Sequence, residues 1–99
     1  MPIKPSVALQ SVNVDEIKRI VLANNGFNPR IFGSVLNGTD TEESDLDLLV
    51  DPKPEMTYFN IGAIMDELQR LLGVPVDVAT PDALPKSSRD RILREARPL

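Results

Sequence analysis

Ninety-nine residues suffice for one compact domain and leave little room for a second core. The chain has no cysteine and no histidine, which excludes a disulfide framework, thiolate or imidazole metal centres, and every nucleophile activated by histidine. Fifteen acidic against eleven basic side chains give a formal charge of −4, which disfavours direct nucleic-acid binding over a broad surface.

Residues 1–12 show no apolar period and are expected to form a flexible arm, with the folded domain over 13–99. The opening Met-Pro-Ile-Lys lacks the apolar stretch of a signal peptide, and no run is long enough to span a bilayer. The expected location is therefore the cytoplasm. Asn13, with Glu16 three positions on, predicts a capping box for a helix whose stripe is Val14, Ile17, Ile20 and Val21. Asn24-Asn25-Gly26 ends it. After Pro29, Arg30-Ile31-Phe32 reads as a first strand. The stretch 33–44 is rich in Gly, Ser, Thr, Asn and acidic residues, and predicts a turn with one helical turn at its start. Leu46-Asp47-Leu48-Leu49-Val50 is a second strand, stopped by Pro52 and Pro54. A helix follows over 57–72, burying Ile61, Ile64, Met65, Leu68, Leu71 and Leu72, with Gly73 just past its end. A third strand covers 74–79. Pro81 and Pro85 punctuate a loop, and Ser87 or Ser88 is expected to cap a last helix that turns Ile92, Leu93 and Ala96 inward. The order helix, strand, strand, helix, strand, helix predicts an α/β (α+β) fold: a small mixed β-sheet with helices packed on one face.

Asp45 and Asp47 lie two apart where the second strand begins, so alternation turns both carboxylates to one face while Leu46, Leu48 and Val50 enter the core. Two fixed carboxylates repel each other unless a cation sits between them. Without histidine, that cation is hard and oxygen-bound: magnesium, with manganese as the alternative. In the third strand Val74, Val76 and Val78 share one face, which leaves Asp77 on the other. If both strands lay their apolar faces on the same helices, Asp77 joins Asp45 and Asp47, and three carboxylates suit two-metal transfer of a phosphorus group. Gly33-Ser34 follows the first strand and offers unpaired N–H groups and a hydroxyl to phosphate, with Gly38 letting the loop return. Taken singly, each feature has an ordinary reading: solvated aspartates at a strand end, a common Gly-Ser turn, an edge-strand Asp77. An EF-hand loop counted from Asp40 fails, because Asp45 stands where glycine is needed and Asp51 where glutamate is. The joint placement at strand ends on one face carries the argument.

Gly33-Ser34, ten residues, then Asp45-Leu46-Asp47 resembles the signature of the polymerase-β-like nucleotidyltransferases. Phe32-Gly33-Ser34 through Ser44-Asp45-Leu46-Asp47-Leu48-Leu49-Val50 resembles their minimal nucleotidyltransferase (MNT) branch. The similarity extends through Val76-Asp77-Val78, Thr80-Pro81 and Arg94-Glu95-Ala96. The resemblance implies the polymerase-β-like nucleotidyltransferase fold, with Asp45 and Asp47 ligating two magnesium ions. Asp77 would stand with these metal ligands and help activate an acceptor hydroxyl. Gly33 and Ser34, with Ser44 at the far end of the loop, would hold the triphosphate of ATP. Many MNT proteins are antitoxins paired with a helical HEPN ribonuclease, and similar ones transfer AMP to a tyrosine of that toxin. A HEPN-type toxin is thus the implied partner, and a homo-oligomer is compatible. One departure stands out. Relatives often carry arginine after Gly-Ser, whereas this chain has Val35-Leu36-Asn37, so Arg30, Lys86, Arg89 or Arg91 would have to replace it. Two other readings stay open: a module that neutralises its partner by contact alone, and transfer to a small molecule such as an aminoglycoside. Transfer to an RNA end is disfavoured by the acidic charge.

Overall fold

The computed structural model describes residues 2–99, and its first helix, α1 (Pro5–Gln10), stands where the sequence predicts a flexible arm. Met1 of that arm lies outside the described residues. Six residues are too few to show a period, but Pro5 presets the first turn, and Pro5 and Ala8 are buried. The helix start is further held by a partner 34 positions away: the Asp40 carboxylate accepts the Ser6 N–H at 2.9 Å. No local pattern announces such a cap.

Helix α2 (Val14–Ala23) begins as expected at Asn13, whose side chain accepts the Asp15 N–H at 2.9 Å and caps the helix alone, without Glu16. Ile17 and Val21 are fully buried. Asn25 takes a left-handed φ of 62°, and the first strand starts directly after it: β1 (Gly26–Phe32) is longer than the predicted 30–32. A side chain at Gly26 would meet Val50 Cγ1 at 2.6 Å, so only glycine lets the two strands close here. The helical turn α3 (Ser34–Asn37) and strand β2 (Leu46–Pro52) fall where the sequence places them. Helix α4 (Tyr58–Leu72) opens on a capping box between Thr57 and Asn60 and closes at Gly73, whose φ is 74°. It buries Ile64, Leu68 and Leu72.

Strand β3 (Val76–Ala79) and a 3-10 turn (Pro81–Ala83) lead to α5 (Lys86–Glu95). Here two expectations are corrected. The helix starts at Lys86 after Pro85, ahead of Ser87 and Ser88, and neither serine is its N-cap. Arg89 closes the preceding turn by donating to the carbonyls of Pro81, Asp82 and Leu84 at 3.0–3.1 Å. Nor does α5 turn a full apolar face inward: none of its residues is buried and Leu93 is 37 % exposed. Its ten residues are mostly charged or hydroxylated, so there is too little apolar surface for a stripe. A two-residue strand, β4 (Arg97–Pro98), follows and was not foreseen.

The sheet order is β3-β2-β1-β4, with β2 and β3 parallel and the other pairs antiparallel. Leu46, Leu48 and Val50 of β2 and Val76 and Val78 of β3 meet Ile17, Val21, Ile64 and Leu68 in one apolar cluster. Each such side chain stabilises the fold by about 1.5–3 kcal/mol. Leu49 faces away from this cluster by alternation and is also fully buried, with the Pro81–Ala83 turn in contact with β2. No helix among the described residues is long and apolar enough to cross a membrane.

Candidate active site

The strand register decides which acidic residues meet. Asp47 pairs with Asp77 across the parallel β2–β3 ladder and with Phe32 across β2–β1. Paired residues on neighbouring strands lie about 4.8 Å apart and point to the same face, so the condition set by the valine pattern is met. Asp45 precedes β2 by one residue, on the face of Asp47 by alternation. Asp45 and Asp77 are exposed, whereas Asp47 is half-buried.

The electrostatics follow from that placement. Burial pushes the Asp47 carboxyl above the usual carboxylate range, and the charges of Asp77 and then Asp45 push it further. No cation among the described residues offsets the charge of an ionised Asp47. Among the described residues, no three acidic side chains converge as a ready-made ion cage. Magnesium ordinarily takes one or two protein carboxylates and completes its shell with water and substrate phosphates. The donors at this place are all carboxylate oxygens, two or three in number and open to solvent, and they fit a hard cation that arrives with a phosphate ligand.

Gly33 brings the backbone against this carboxylate. Its φ of 74° and ψ of −146° suit glycine alone, and a Cβ built there would overlap Asp47 Oδ2 and lie 3.2 Å from Asp47 Cγ. The chain then enters α3, whose first-turn N–H groups on Ser34, Val35 and Leu36 have no helical carbonyl to bond. Gly38, at φ 71°, closes the turn. Gly33 is thus brought against Asp47, with Ser34 next in the chain at the start of α3.

Ser44 is placed differently. Its hydroxyl accepts the Thr41 N–H at 2.8 Å and lies 3.3 Å from Thr41 Oγ1, so both bonds stay within the 41–44 turn. Asp40 was missed by sequence reasoning. Among the described residues it is the one buried charged side chain, and the Ser6 N–H holds its carboxyl below the usual range, ahead of the opposing effect of burial. Through that bond, the loop joining Gly33-Ser34 to Asp45 is fastened to α1. The only signal in the sequence is an acid in a polar loop, which has no address.

Of the cations nominated to replace a missing arginine, most are engaged elsewhere. Arg30 bonds Asp51 at 2.5 Å, Arg91 bonds Glu95 at 3.2 Å, and Arg89 closes the turn described above. Lys86 is exposed at the start of α5.

Residues 14–99 match the family described as "Nucleotidyltransferase domain". A protein of Methanocaldococcus jannaschii named "Putative protein adenylyltransferase" is 35% identical over 89 residues, which covers 86% of this chain and 96% of that one. A solved structure described as "Structure of putative minimal nucleotidyltransferase" superposes with a TM-score of 0.83 at 33% identity, over 95% of both chains. A second, described as "Crystal structure of the toxin-antitoxin with AMP-PNP", shares the fold with a TM-score of 0.72 at 18% identity, over 88% of this chain and 72% of that one.

Proposed function

The chain belongs to the nucleotidyltransferase-domain family, and on that premise we propose that it transfers AMP from ATP to a tyrosine hydroxyl of a HEPN-type toxin and so acts as its antitoxin. The register that sets Asp47 beside Asp77, with Gly33 folded against Asp47, is the observation that carries this reading. The relative named for protein adenylylation, and the fold neighbour that contains AMP-PNP in a toxin–antitoxin complex, support the donor and the kind of partner. ATP as donor makes the cytoplasm the compartment of the reaction.

Asp45 and Asp47, with Asp77 beside them, would hold magnesium, which when bound offsets the charge on the phosphates and on the attacking and leaving oxygens. Gly33 presents its backbone closely to the triphosphate, while the Ser34 hydroxyl and the first N–H groups of α3 bond its oxygens. Ser44 keeps the loop in shape beside the nucleotide through its bonds to Thr41. Asp77 Oδ takes the proton of the acceptor hydroxyl as that oxygen attacks the α-phosphorus. The new O–P bond forms, the bond from the α-phosphorus to the bridging oxygen breaks, and pyrophosphate leaves. Residues 13–99 carry this chemistry, and α1 steadies its loop through Asp40.

Incubation with ATP labelled at the α-phosphate, magnesium and the protein encoded beside this one should place label on a tyrosine of that protein. No transfer, with an authentic MNT pair active in parallel, would overturn the reading. The contact-only alternative separates cleanly. Asp45→Asn with Asp47→Asn should keep the complex but lose neutralisation; a neutralising double variant would mean that contact alone suffices.

A further inference from the structure

The chain holds a single tyrosine, and among the described residues it is the most exposed large apolar side chain. Tyr58 is 91 % exposed and Phe59 beside it 90 %, against 53 % for Leu22, the next in order. The two open α4 directly after its N-cap, and the capping box between Thr57 and Asn60 fixes the turn from which they project. Adjacent aromatic rings left in water mark a surface that another molecule covers.

The topology keeps Tyr58 away from the aspartates of its own chain. Strand β2, helix α4 and strand β3 form a parallel crossover, so α4 starts where β2 ends and returns the chain to the start of β3. Tyr58 lines a shallow groove with Pro52, the last residue of β2, and Thr80, the first after β3. At about 3.3 Å per residue, Pro52 is roughly 16 Å along β2 from Asp47. Helix α4 also packs on the apolar face of the sheet, where Ile64 and Leu68 meet Leu46, Leu48 and Val50, and Asp47 and Asp77 point from the other face. No rotation of its side chain brings the Tyr58 hydroxyl to the Asp47 of the same chain.

A second copy has no such obstacle. Residues 56–65 carry no charge in a chain whose net charge is −4, so this tip does not repel an acidic site as a charged surface would. The first turn of α4 has no acidic side chain, and its unpaired N–H groups give it a partial positive charge. A phenol ionises near pH 10, so its proton passes to a carboxylate more readily than that of a serine or threonine hydroxyl. We propose that Tyr58 is a further acceptor for the transfer reaction, receiving AMP from a second copy of this chain. This rests on the nucleotidyl-transfer reading above. The phenolic oxygen attacks the α-phosphorus of ATP held by the other copy, whose Asp77 takes the proton. The O–P bond forms, the bond from the α-phosphorus to the bridging oxygen breaks, and pyrophosphate leaves. The resulting phosphodiester carries its negative charge at the start of α4, where the helix dipole favours it.

Wild-type protein incubated alone with magnesium and ATP labelled at the α-phosphate should gain an adenylyl group on the peptide that contains Tyr58, read by mass spectrometry. Tyr58→Phe should lose this label and still label the acceptor toxin. In a mixture, the Asp45→Asn with Asp47→Asn chain should be labelled by the Tyr58→Phe chain, although neither labels itself. Phe59→Asp sets a like charge on the tip and should slow self-labelling about three- to tenfold, with labelling of the toxin unchanged.

Four results would overturn the inference: a wild type that labels the toxin but not itself, equal label in Tyr58→Phe, an inactive chain left unlabelled in the mixture, or full-rate labelling of Phe59→Asp. Failure of the underlying reading looks different, because the wild type would then label neither the toxin nor itself, and both conclusions would fall together.

Discussion

Asp47 is the residue at which stability and chemistry pull in opposite directions. Burial and two acidic neighbours raise its folded-state value above the ordinary one, so the folded protein disfavours the ionised form. The sign follows: stability falls as pH rises from the ordinary carboxylate range through the raised folded value. Asp47→Asn should therefore raise the thermal midpoint at pH 7. The gain should vanish under acid, where the wild type is protonated in both states; melts across pH measure it. The same variant should lower AMP transfer by about 10²- to 10³-fold, the scale of losing one group that stabilises transition-state charge. Gly33→Ala combines a backbone and a contact effect. Alanine at φ 74° and ψ −146° costs about 1–3 kcal/mol, and its Cβ would displace the Asp47 carboxylate. In an Asp47→Ala background only the backbone cost should remain, so urea denaturation of the four chains should show a coupling of about 0.5–3 kcal/mol.

Among the elements, α1 depends most on a single distant contact. Asp40 is held below its ordinary value by the Ser6 N–H, so its contribution is present above the ordinary carboxylate range and lost as pH falls through the lowered folded value. Asp40→Ala should speed amide exchange at Ser6 and lower the thermal midpoint at pH 7, with the difference shrinking under acid. Because the same loop leads into Asp45, the KM for ATP should rise as well. An unchanged exchange rate would mean that burial of Pro5 and Ala8 suffices to hold the helix. This element also marks where sequence reasoning stops. Helix α4 and strands β2 and β3 were legible because their period decides which side chains enter the core, and that period turned Asp47 and Asp77 to one face. Helix α1 was not legible, since six residues carry no period and its cap comes from position 40. Strand β4 was not legible either, because two residues including Pro98 become a strand only by pairing with β1. The inward face expected on α5 failed for the opposite reason. Ile92, Leu93 and Ala96 have the right spacing, but the sheet's main apolar face is already filled by α1, α2 and α4.

At the scale of the whole molecule, one core fixes both halves of the candidate site. Leu46, Leu48 and Val50 hold β2 against the helices, and strict alternation then leaves Asp47 and Leu49 on the other face, where Leu49 is buried and Asp47 half-buried. Asp47 and Asp77 thus sit on paired strands, with Asp45 one residue ahead of β2, while the Gly33-Ser34 turn follows the adjoining strand. A ligand that bridges the two should tighten the entire fold, since whatever binds only the folded state stabilises it by mass action. Magnesium with a non-hydrolysable ATP analogue at a hundredfold excess over its Kd should add about 2.7 kcal/mol, which for a chain of this size is a rise of roughly 11–22 degrees in Tm. Chelation of the metal should abolish the shift, and so should Asp45→Asn with Asp47→Asn. A shift that survives in that double variant would mean that the nucleotide is held without these carboxylates. The assignment of the metal to Asp45 and Asp47 would then be wrong, even with the fold and the family standing.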